Sequence, residues 1–157
     1  MPPPANQAVL VEVAVDSVGG AQAAAAAGAG RVELCSSLIE GGLTPSLGLM
    51  EAVRAAVDIP VFCMVRPRGG DFLYDDNEID VMQRDIELLG GSGADGFVTG
   101  VLDKAGGLDQ ARLETLKKLC GFRPMTCHRA FDLCADPVAA LTALQQLGIE
   151  RVLTSGQ

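Results

Sequence analysis

The sequence predicts an α/β fold of the TIM type, a (β/α)8 barrel, of which about six strands are legible. Three observations predict it. First, strand-like and helix-like segments alternate along the chain with no hairpin signal between strands, the pattern of right-handed crossovers and a parallel sheet. Second, charge falls inside strand segments, at Glu12, Glu33 and Arg66, with His128 near a strand end. A doubly wound sheet is buried on both faces and rarely carries mid-strand charge, whereas a barrel gathers such groups around one axis near its top. Third, the Gly-x-Gly-x-x-Gly turn of dinucleotide-binding sheets is absent.

Each element follows in order. The β-rich run Ala8 to Val15 is the first strand, and Asp16 is placed to cap a helix that Gly28 ends. Arg31 to Cys35 is the second strand. Thr44-Pro45 supplies the cap and first turn of a helix reaching about Val57. Ile59 to Val65 is a fully apolar third strand. Asp75 or Asp76 opens a helix whose apolar residues, Ile79, Met82, Ile86 and Leu89, recur at helical spacing. Gly96 to Gly100 is the fourth strand. Leu108 to Leu119 is a helix with Lys117 and Lys118 near its C-terminal dipole. Pro124 to His128 is the fifth strand, Asp136-Pro137 caps a helix ending at Leu147-Gly148, and Arg151 to Thr154 is the sixth strand. Barrels of this type take about 250 residues. The 157 residues are therefore expected to form one partial barrel domain over 1–157, with 1–7 a flexible, proline-rich tail. Its unpaired edges are expected to favour a homo-oligomer.

Composition excludes several classes. A net charge of −8 speaks against nucleic acid, no stretch is long and apolar enough for a membrane span, and the N-terminus lacks a signal-peptide pattern. Five cysteines, an odd number without CxxC spacing, read as reduced thiols of a cytoplasmic protein. The three lysines lie outside the strands, so a Schiff-base mechanism has no candidate.

The richest stretch is Arg66 to Tyr74, RPRGGDFLY, where a buried strand ends. Arg66 and Arg68 suit carboxylate or phosphate, and Gly69 and Gly70 let the backbone turn close to a ligand beside Asp71. Glu12, Glu33, Arg66 and His128 are the candidate catalytic groups expected to converge at a barrel mouth, with Asp132 and Arg129 on the His128 loop. Strand alternation puts Cys35 on the Glu33 face and turns Cys63 and Cys127 into the helix layer.

The stretches Val15-Asp-Ser-Val18, Arg31-Val-Glu-Leu-Cys35, Gly41-Gly-Leu-Thr-Pro-Ser46, Arg66 to Tyr74, Gly93-Ala-Asp-Gly96, His128-Arg-Ala-Phe-Asp132 and Val152-Leu-Thr-Ser-Gly156 together resemble the CutC family of copper-homeostasis proteins. The resemblance implies a TIM-type barrel, cytoplasmic and often self-associating, linked to copper. It implies Cu(I) ligands at the ends of the first two strands. One matches Cys35; the family's other cysteine is replaced by Ala14, which leaves Met64 as the soft substitute. Two functions compete on these residues: copper homeostasis with copper binding, and an enzyme acting on an anionic small molecule through Glu12, Glu33, Arg66 and His128.

Overall fold

The computed structural model describes residues 9–156; the tail expected over 1–7 lies outside them. Six strands, β1 (Glu12–Val15), β2 (Arg31–Leu34), β3 (Val61–Met64), β4 (Gly96–Thr99), β5 (Met125–Cys127) and β6 (Arg151–Val152), form one sheet in sequential order. Every pair is parallel. The helices α1 (Val18–Ala26), α2 (Leu47–Ala56), α3 (Asp76–Gly91), α4 (Gln110–Cys120) and α5 (Pro137–Gln146) are the crossovers.

Register assigns each side chain to a face. Glu12 lies opposite Arg31, Ala14 opposite Glu33, Glu33 opposite Phe62, Met64 opposite Val98, and Thr126 opposite Arg151. These residues share the concave face. The alternate positions, among them Val32, Leu34, Val61, Cys63, Phe97, Met125 and Cys127, enter the main core with Met50, Met82, Ile86, Leu113, Leu116 and Leu144 from the helices. Cys35, Phe62, Met64 and Val98 make a second, smaller cluster on the concave side. The sheet curls: Arg151 of β6 lies over the ring of Phe62 on β3, 4.7 Å from its centroid, and Arg31 of β2 lies over the same ring at 4.3 Å. Gly96 makes room for that ring, since a Cβ there would sit 2.5 Å from it.

Local chemistry differs from expectation in a few places. β1 starts at Glu12, not Ala8, because pairing with β2 begins at Glu12 opposite Arg31; Val9, Leu10 and Val11 are exposed. Ser17, not Asp16, caps α1 by accepting from the Gly20 N–H at 3.1 Å. Ser46, not Thr44, caps α2. Thr44 is drawn away from the helix end by β3: its Oγ1 accepts from the Arg66 N–H at 3.0 Å and donates to the Arg66 carbonyl at 3.1 Å. Asp75 caps α3 in a reciprocal box with Glu78, and Asp136 caps α5 ahead of Pro137.

Candidate functional site

Parallel strands all end on one side, so the residues just beyond β2, β3 and β5 meet at a common mouth. A cavity of about 60 Å³ opens there, lined by Glu33, Gly41, Met64, Arg66, Phe72, His128, Arg129 and Leu153. Three of the four groups expected to converge therefore share one wall. Glu12 is placed elsewhere: at the start of β1 it pairs with Arg31 and does not line the cavity.

Arg66 is buried; two of its guanidinium nitrogens donate to backbone and Nε has no hydrogen-bond partner among the described residues. Nη1 donates to the carbonyls of Glu40 (2.7 Å) and Gly42 (3.2 Å), and Nη2 donates to the carbonyl of Gly70 (3.0 Å). It makes no ion pair with a carboxylate among the described residues. Phe72 folds back over it, with Cζ 5.0 Å from the ring centroid, and also lies against His128 at 4.7 Å between centroids.

His128 is buried. Its Nδ1 accepts from the Ala130 N–H at 3.2 Å, which caps the 3₁₀ turn Arg129–Leu133, while its Nε2 has no protein partner. Burial, reinforced by the Arg66 charge, pushes its pKa down to about 3, so the imidazole is neutral. Gly100 is what lets the ring lie so close to β4: a Cβ there would stand 2.7 Å from His128 Cε1 and Nδ1. Glu33 is the acid of the cavity. Burial, then the Glu12 charge, raises its pKa to about 7, against the lowering effects of the Cys35 thiol and Arg31. The Cys35 thiol points at Glu33 Oε1 at 3.7 Å, and burial beside that carboxyl raises its own pKa.

The soft pair is adjacent. A Cβ on Gly42 would meet Cys35 Sγ at 2.9 Å and the Met64 Cε at 3.4 Å, so both reach the same spot above β2 and β3. The other expected ligand-binding residues mostly hold loops. Arg68 pairs with Glu78 and Asp71, and Asp71 also accepts from the Leu73 N–H. Gly69 lies against the Glu40 carboxylate. Arg129 reaches the cavity and pairs with Asp132, whose carboxylate also accepts from the Ser155 N–H at 2.9 Å and ties the 3₁₀ turn to the loop after β6. Sequence reasoning missed Phe72, Thr44 and Gly100. Phe72 stood in RPRGGDFLY, two residues past a Gly-Gly turn able to send its ring back over Arg66. A larger depression of about 700 Å³ lies between the starts of α3 and α4, lined by Tyr74, Asp76, Lys104 and Arg112, but it is off the barrel axis and Arg112 is paired with Asp76.

The strands form an arc of a parallel α/β barrel of TIM type, with polar groups gathered at the strand C-termini. Residues 9–157 match the CutC family, and the chain belongs to it. It is 55% identical over 152 residues to the mouse copper homeostasis protein cutC homolog, covering 97% of this chain and 56% of that one. A crystal structure from Streptococcus agalactiae, described as a copper homeostasis protein CutC, superposes with a TM-score of 0.90 at 32% identity, over 96% of this chain and 74% of that one. Phosphonopyruvate hydrolase, at 14% identity and a TM-score of 0.68 over 94% of this chain and 59% of that one, shares the fold alone. The chain spans about half the length of the curated relatives it matches. The family and the curled parallel sheet are as the residues had suggested.

Proposed function

We propose that this protein serves copper homeostasis, the role in its relatives' names, and that its mouth cavity holds a small anionic ligand on which Glu33 moves a proton. The observation that carries the ligand class is Arg66: a buried cation with no carboxylate partner among the described residues, on a cavity wall. A buried charge without a counter-charge is costly, and an entering carboxylate or phosphate relieves it. Glu33, with a pKa near neutrality, is suited to general acid–base work beside it. All five cysteines are free and buried, which suits a reducing cytoplasm. Calorimetric titration with pyruvate and with inorganic phosphate tests the reading. Saturable binding is expected, weakened on the order of tenfold or more by Arg66→Lys, which keeps the charge and loses the fork. No binding of either anion overturns it.

A second reading rests on the adjacency of Cys35 and Met64: one thiolate and one thioether are soft donors for Cu(I). Competition against a Cu(I) chelator should show weaker binding in Cys35→Ser and tighter binding in Ala14→Cys, whose new thiol would join the concave face beside Glu33. An affinity unchanged by Cys35→Ser removes Cys35 as a ligand.

A further inference from the structure

Besides Arg66 Nε, the mouth holds a second buried nitrogen without a hydrogen-bond partner among the described residues: His128 Nε2. Its protonation follows from the other ring nitrogen. A backbone N–H can only donate, so Nδ1, which faces the Ala130 N–H at 3.2 Å, must be an acceptor. A neutral imidazole with an accepting Nδ1 carries its proton on Nε2. Burial and the nearby guanidinium keep the ring neutral, and the Ala130 N–H selects that tautomer. Nδ1 and Cε1 face Gly100 and Phe72 lies against the ring, so Nε2 is the ring nitrogen with a bond to spare for a ligand in the cavity that His128 lines.

We infer that His128 is a hydrogen-bond donor of fixed tautomer, not an acid–base group, and that with Arg66 it selects a small 2-oxo carboxylate. The inference deepens the anionic-ligand reading and rests on it. The carboxylate faces the guanidinium, and the 2-oxo oxygen, an acceptor with no proton of its own, takes the Nε2–H. Phe72, touching both Arg66 and His128, fixes the spacing between the two recognition points. Cavity size limits the ligand: about 60 Å³, at about 10–15 Å³ per water-sized group, admits about four to six non-hydrogen atoms. That range suits two- and three-carbon acids.

His128 is the only histidine, so its ring is visible alone in protein labelled with ¹⁵N-histidine. Long-range proton–nitrogen NMR spectra from pH 8 to pH 5 should show an unprotonated Nδ1 and a protonated Nε2 throughout. Adding pyruvate should shift the Nε2–H resonance. Propionate, which lacks the second oxygen, should bind on the order of tenfold or more weakly and leave that resonance in place. His128→Gln, which keeps an N–H donor near the Nε2 position, should retain the preference for pyruvate, and His128→Leu should lose it. A proton found on Nδ1, or a ring midpoint between pH 6 and 7, overturns the inference. So does pyruvate binding without an Nε2–H response, which leaves the anion site standing. Absence of any anion binding overturns both.

Discussion

The two ends of the concave face carry charge in opposite ways. At the N-terminal end, Glu12 pairs with Arg31, and Arg31 and Arg151 lie over Phe62 while Arg151 Nε donates to Thr126 Oγ1 at 3.1 Å. Glu12 and Arg31 answer each other there, while Arg151 rests on Phe62 and Thr126 and keeps one nitrogen without a hydrogen-bond partner. At the mouth, Arg66 donates to backbone carbonyls and meets no carboxylate among the described residues, His128 keeps a free donor, and burial raises the Glu33 pKa to about 7. The same alternation of side chains put polar groups inside at both ends. At one end the acid, Glu12, is closed in an ion pair with Arg31; at the mouth neither Glu33 nor Arg66 has an ion-pair partner among the described residues, which leaves capacity for something from outside. Buried groups with unmet capacity mark a site better than buried charge as such.

The comparison can be broken by removing one arginine from each end. Arg66→Met should cost the most, on the order of 3 kcal/mol, because three inward carbonyls lose a charged donor and the loops before α2 and α3 come loose. Arg31→Met should cost about 1 kcal/mol, since Glu12 keeps access to water and rehydrates. Urea unfolding of the two variants measures both, and a larger loss from Arg31→Met would reverse the contrast. Gly100→Ala should follow Arg66→Met, at about 2 kcal/mol, by driving a methyl into His128; its histidine NMR signals should move as well.

Titration sharpens the difference further. Glu33 has a folded pKa raised to about 7 from 4.5, so between those values the folded state holds more protons and stability falls as pH rises. His128 has a folded pKa lowered to about 3 from 6.5, so between those values the unfolded state holds more protons and stability falls as pH drops. The two slopes oppose each other between about pH 4.5 and 6.5, and only one remains outside that window. Glu33→Gln should therefore be more stable than the parent at pH 8, by on the order of 1–2 kcal/mol, with the gain gone near pH 4. His128→Gln should flatten the loss of stability between pH 4.5 and 3. Equal pH profiles for parent and Glu33→Gln would mean that Glu33 is not buried as described.

Much of this was legible in the sequence, for reasons visible at particular residues. Period-2 alternation alone put Glu33, Cys35 and Met64 on one face and Cys63 and Cys127 on the other, and the register agrees. Asp75 or Asp76, and Asp136-Pro137, marked two helix starts, because a cap is a local exchange between residues two or three apart; the structure selects Asp75, boxed with Glu78. Thr44 was misread because its partner is Arg66, 22 residues away. Glu12 was placed at the mouth because alternation says which face a residue takes and nothing about how far along the strand axis it lies.

The sequence by itself determined the class of fold, the family and the inventory of polar groups, since these follow from short-range periodicity and from motifs read in order. The tertiary structure alone decided which groups are answered and which are left open. Whether Arg66 meets a carboxylate or a carbonyl, and whether His128 donates from Nε2, depends on where loops after different strands come to rest. Those positions are set by packing between residues far apart in the chain, such as Phe72 against His128 and Gly100 against the same ring.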